Sequence, residues 1–164
     1  MFLQVLRPNY SYESLYHIGP EDLKAKGLKG LIIDLDDTSL EHGGAFLSHE
    51  RKAWFSSLLH SGIKICLVSN NTSVRVKNIS DSLGVPYVSN AMKPFKRAFR
   101  KALEALDLPA HQVAGVGDQI FTDIWGGNRA GLITILVTPL GSREHWWTRM
   151  IRRVERPFRR SPSP

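Results

Sequence analysis

The sequence offers one cysteine among its 164 residues, so no internal disulfide can staple it. Cys66 sits in the apolar run Ile65-Cys66-Leu67-Val68, which points to a buried structural thiol in a reducing compartment. No apolar run approaches the length of a bilayer span, and residues 1–16 carry no basic segment followed by a long apolar stretch. Neither a signal peptide nor a membrane-spanning helix is therefore expected. The histidines, at 17, 42, 49, 60, 111 and 145, lack the tight spacing of a zinc site. Gly115-Val116-Gly117 is not followed by P-loop spacing, and no Gly-x-Ser-x-Gly occurs. What remains, with 42% hydrophobic residues at this length, is one soluble globular domain with a real core.

Acidic residues are also scarce, 15 against 22 lysines and arginines, which gives a formal charge of +7 and points to an anionic partner or surface. The excess is concentrated at one end. Between Arg143 and Arg160 seven arginines stand against Glu144 and Glu155, so that stretch alone contributes +5. On a helical wheel over residues 145–156, Trp146, Trp147, Met150, Ile151 and Val154 fall on one side. Arg149, Arg152, Arg153 and Arg156 fall on the other. The expected division is a domain over residues 1–142 and a basic amphipathic tail over 143–164. The tail either docks on the core or lies on an anionic bilayer.

The rest of the chain alternates strands and helices. Leu31-Ile32-Ile33 reads as a buried strand, and Ser48 caps a helix with Trp54, Phe55, Leu58 and Leu59 on one face before Gly62. Further strands are expected at Ile63 to Val68, Tyr87-Val88, Val113 to Val116 and Ile133 to Val137. Helices are expected from Asn71 or Thr72 to Leu83, from Pro94 to Leu106, and from Phe121 to Ala130. Such alternation across short connections argues for an α/β fold with a parallel sheet covered on both faces. Ligands in such sheets bind beyond the carboxyl ends of the strands.

Those ends are polar. The first strand runs into Asp34-Leu35-Asp36-Asp37-Thr38, whose carboxylates repel one another unless a cation or proton offsets them. Ser69-Asn70-Asn71 follows the second strand, Lys93-Pro94 opens the third helix, and Gly117-Asp118 closes the fourth strand with Asp123 shortly after. Taken singly these are an acidic turn, a helix cap and an exposed lysine. Together they supply a carboxylate nucleophile, a proton-moving carboxyl group, oxygen ligands for a hard divalent cation, and positive charge for phosphoryl oxygens.

In that order the motifs resemble the haloacid dehalogenase (HAD) superfamily of phosphatases, over roughly Gly30 to Val137. The run from Gly117 to Gly131 resembles subfamily IIIA, in particular the branch containing phosphatidylglycerophosphate phosphatases. His17-Ile18-Gly19-Pro20-Glu21-Asp22-Leu23 resembles that branch too. Asp37 stands where the branch often has Asn, and Ser39 where an apolar residue is usual. The resemblance implies a three-layer Rossmann-like fold with a mainly parallel sheet. It also implies residue roles: Asp34 attacks phosphorus and Asp36 moves the protons. Mg²⁺ is held by the Asp34 carboxylate, the Asp36 carbonyl and the Asp118 carboxylate. Ser69 and Asn70 donate to the phosphoryl group, Lys93 offsets charge beside Asp34, and Thr38 and Asp123 support the site by hydrogen bonding.

The usual insertion places, after Thr38 and near Ser89 to Met92, are too short here for a separate cap domain. An uncapped site admits a bulky substrate. The expectation is therefore a Mg²⁺-dependent phosphomonoesterase that dephosphorylates phosphatidylglycerophosphate, cytoplasmic and peripheral on the inner face of the membrane. A phosphatase for a soluble sugar phosphate or nucleotide is the alternative within the class. A non-catalytic nucleic-acid-binding module using the basic tail is the alternative outside it.

Overall fold

The computed structural model describes residues 2–35, 47–70 and 74–138. Asp36, Asp37, Thr38, Ser39, the helix start at Asn71 or Thr72, and the 143–164 tail lie outside these residues. In chain order the regular elements are β1 (Tyr10–Tyr12), α1 (Pro20–Ala25), β2 (Gly30–Asp34), α2 (His49–His60), β3 (Lys64–Val68), α3 (Val74–Leu83) and β4 (Tyr87–Val88). They continue with α4 (Lys96–Leu106), β5 (Val113–Gly117), α5 (Trp125–Ala130) and β6 (Ile133–Val137). Among the described residues no helix is long and apolar enough to cross a membrane.

All strand pairings are parallel, in the order β1-β6-β5-β2-β3-β4. The period-two alternation of β2 shows how the sheet is covered. Leu31 and Ile33 join one apolar cluster with Trp54, Phe55 and Leu58 of α2 and Val76 and Ile79 of α3. Ile32 joins another with Cys66, Val68 and Ala98, Phe99, Ala102 and Leu106 of α4. Every residue of β2 and β5 is buried, as a strand packed on both faces requires. The result is three layers with β2 and β5 at the centre.

From β2 the chain winds outward through β3 to β4. It then crosses back to β5 and winds the other way to β6, so the direction reverses between β2 and β5. A crevice opens at the carboxyl ends of the strands where such a reversal occurs. Asp34 closes β2 and Asp118 follows β5, so both stand at that crevice.

The structure adds one strand, β1, and one short helix, α1, and moves the starts of two helices. β1, with only Tyr10, Ser11 and Tyr12, pairs with β6 at the sheet edge, where the Tyr12 hydroxyl donates to Asp22 Oδ2 at 2.6 Å. Pro94 does not lie in the first turn of α4. Phe95 takes the N-cap position and the helix begins at Lys96, which leaves Lys93-Pro94 in the preceding turn. The segment expected as one helix from Phe121 starts instead as a wide π turn, Ile120–Ile124, and becomes α-helical at Trp125.

Candidate active site

Asp34 is the last residue of β2 and is 5% exposed. Leu35 N donates to Val68 O at 3.1 Å, which keeps β2 and β3 together just past that carboxylate. Beyond β3, Ser69 is fully buried; its N–H donates to Val88 O at 3.0 Å and its carbonyl accepts from Ala91 N at 3.0 Å. Ser69 is thus clamped between the central sheet and the β4–α4 connection. Asn70 does a related task with its side chain, since Lys93 N donates to Asn70 Oδ1 at 2.8 Å. The polar pair after β3 therefore positions the lysine that lies 23 residues further on.

Lys93 turns inward from that loop, and its side chain is 4% exposed. Its Nζ donates to Asp34 Oδ1 and, at 2.6 Å, to Asp123 Oδ1. Burial alone would pull the ammonium pKa down. The Asp123 and Asp34 carboxylates outweigh it and hold the group above the usual lysine range. Lys93 is accordingly a fixed cation, which answers the oddity of a lysine placed just ahead of a helix N-terminus.

Asp118 and Asp123 come from one segment. Asp118 follows Gly117 at the end of β5 and is fully buried. The π turn then brings Asp123, 4% exposed, back over the strand end, where its Oδ2 accepts from Gln119 N at 3.1 Å. The approach is close enough to require a glycine: a Cβ at position 117 would stand 2.3 Å from Asp123 Cγ. One carboxylate oxygen from each of Asp34, Asp118 and Asp123 lies within 4.8 Å of the others, and all three residues are buried.

The site residues expected from the sequence thus divide in two. Asp34, Ser69, Asn70, Lys93, Asp118 and Asp123 are brought to one end of the sheet. Asp36 and Thr38 lie outside the described residues. Asp123 makes the hydrogen bonds a supporting residue would, to Lys93 Nζ and Gln119 N, and it also contributes an oxygen to the acidic cluster. The clue in the sequence was its five-residue distance from Asp118, which one widened turn converts into adjacency. The donor set suits a hard divalent cation: every ligand atom is a carboxylate oxygen, and among the described residues Lys93 is the cation that reaches Asp34 and Asp123.

Comparison with known proteins gives the same direction. The HAD-hydrolase-like family profile matches residues 90–149. Probable phosphatase YqeG of Bacillus subtilis (strain 168) is 39% identical over 156 residues, covering 95% of this chain and 91% of that protein. Phosphatidylglycerophosphate phosphatase 1, chloroplastic, of Chlamydomonas reinhardtii is 30% identical over 158 residues, covering 90% of this chain and 59% of that protein. Among solved structures, the cobalt-bound deoxy-D-mannose-octulosonate 8-phosphate phosphatase of Haemophilus influenzae superimposes with a TM-score of 0.51. It shares 16% identity and covers 82% of this chain and 93% of its own, a likeness of fold.

Proposed function

The chain belongs to the HAD superfamily of phosphatases, and from that premise we propose that it hydrolyses phosphatidylglycerophosphate with Asp34 as the nucleophile. The observation that carries the chemistry is the meeting of three buried carboxylates and the buried Lys93 ammonium at the point where the sheet reverses direction.

In this reading the Asp34 carboxylate attacks phosphorus and the bond from phosphorus to the ester oxygen breaks. Asp36 gives its proton to the leaving alkoxide. Asp36 then takes a proton from water as the water oxygen attacks phosphorus, which releases inorganic phosphate and frees Asp34. Ser69, with Nδ2 of Asn70, donates to the phosphoryl oxygens, with Thr38 beside them. Lys93 keeps its proton on Nζ throughout and balances Asp34 against the incoming dianion. Asp123 holds that ammonium in place. Asp34 and Asp118, with the Asp36 carbonyl, would bind Mg²⁺, which when present offsets charge on the phosphoryl oxygens.

Two findings support a lipid ester over a soluble one. The chloroplastic relative named above as a phosphatidylglycerophosphate phosphatase aligns with nearly the whole of this chain. The connection from β4 to α4 is short and carries no inserted module over the site. The test is a phosphate-release screen with Mg²⁺, setting phosphatidylglycerophosphate in micelles against sugar phosphates and nucleotides. Faster turnover of the lipid is expected. Preference for a soluble ester would remove the lipid assignment. Salt-sensitive binding of RNA or DNA with no hydrolysis of any ester would remove the catalytic reading as well.

A further inference from the structure

Three of the four large apolar side chains exposed among the described residues sit around the site end of the sheet: Val74 at 75%, Met92 at 60% and Phe95 at 64% exposure. Val74 opens α3, after the Ser69-Asn70 turn. Met92 and Phe95 flank Lys93-Pro94 itself. Isolated exposed apolar residues are ordinary, whereas several around one site mark a contact surface.

The helix that follows breaks two local rules in the same place. Phe95 occupies the N-cap of α4 and makes no side-chain cap, although Ser, Thr, Asp or Asn there would satisfy an orphan N–H. The charge order of α4 also opposes its dipole: Lys96, Arg97, Arg100 and Lys101 fill the first half, and Glu104 comes near the end. At about 100° per residue these four cations share one stripe of roughly 140°. None of them pairs with a carboxylate among the described residues. Arg97 and Lys101 line, with Met92, a groove of about 300 Å³ beside the loop that carries Lys93. Local choices that cost stability without local return are expected at functional surfaces.

We propose that this face docks on an anionic lipid bilayer, with Met92 and Phe95 entering the headgroup boundary and the α4 cations meeting lipid phosphates. Unpaired cations alone would suit any polyanion. Protruding apolar side chains on the loop that carries Lys93, next to these cations in the chain, favour a surface that has apolar depth. The docking would set the mouth of the site against the membrane, and it deepens the lipid-substrate reading on which it rests.

The experiment measures binding of the full chain to vesicles of phosphatidylglycerol and phosphatidylcholine, which contain no phosphate monoester. Each cation at such a surface contributes about fivefold to binding. The double variant Arg97→Glu/Lys101→Glu is therefore expected to bind at least about tenfold more weakly, with unchanged turnover of p-nitrophenyl phosphate. Phe95→Ser is expected to weaken vesicle binding and yet raise Tm by about 2–4 °C, because serine caps α4. A merely structural phenylalanine would not give that opposite pair of shifts. Wild-type binding in both variants overturns the proposal, as does tight binding of an RNA oligonucleotide by a chain that ignores the vesicles. Because the vesicles offer no substrate, failure here is distinguishable from failure of the lipid assignment, which the phosphate-release screen decides.

Discussion

Lys93 is the residue on which the site's electrostatics turn. Its buried ammonium bridges Asp34 and Asp123, and neither carboxylate can be removed from water comfortably without it. Lys93→Met should lower phosphatase turnover by about 10²-fold or more. It should also destabilise the fold by roughly 3–5 kcal/mol, the effect of leaving buried charge uncompensated; urea unfolding checks the second. A variant that melts like the wild type would show that the pairing contributes little. Gly117 is the steric counterpart. A Cβ 2.3 Å from Asp123 Cγ cannot be accommodated without moving that carboxylate. Gly117→Ala should therefore cost activity about 10–100-fold, the range for disturbing support of a metal site, with about 1–3 kcal/mol of stability. Normal turnover in Gly117→Ala would mean that the position of Asp123 is unimportant. The types and order of these residues were legible in the sequence. That Asp123 also shares the acidic cluster and meets Lys93 directly was not, because it depends on the width of one turn.

At the scale of elements, the long periodic segments and the two-residue β4 were legible, whereas β1 and α1 were not. α2, β2, β3, β5 and β6 follow from apolar spacing and from Ser48, whose Oγ accepts from Arg51 N at 3.3 Å. β1 escapes such reading because three residues carry no periodicity. Its pairing comes from tertiary contacts, the ladder to β6 and the Tyr12–Asp22 hydrogen bond. Pro94 misled in a different way. Proline does suit a first helical turn, but here the loop must first bring Lys93 back to Asn70 and Asp34, and the helix waits until Lys96. Cys66 is buried as its apolar run predicts, since β3 packs it against α4. Burial pushes the thiol from 9.0 up to about 12. Since its folded value is raised, the neutral thiol's contribution to stability is full below about 9 and is lost as pH rises towards about 12. Native protein at about pH 8 should resist iodoacetamide and react only once unfolded in urea. Equal labelling rates in the two states would contradict the burial.

For the whole molecule, what matters is that chain reversal between β2 and β5 gathers groups distant in sequence. Asp34, Ser69, Lys93 and Asp118 were legible as a set because a parallel sheet leaves each strand's carboxyl end on one side. Which oxygens meet was not legible, because it depends on the turns that follow each strand. The buried acidic cluster fits a divalent cation, and the proposed mechanism requires one. EDTA should abolish hydrolysis of p-nitrophenyl phosphate and added Mg²⁺ should restore it. Full activity in the chelated enzyme would contradict a metal role for Asp34 and Asp118. The most direct test of the central claim is phosphate release by purified Asp34→Asn, assayed with Mg²⁺ beside the wild type. An amide is a poor nucleophile and a weaker cation ligand, so a folded variant should release no phosphate above the blank on lipid or aryl ester. Appreciable turnover by that folded variant would remove Asp34 as the attacking group.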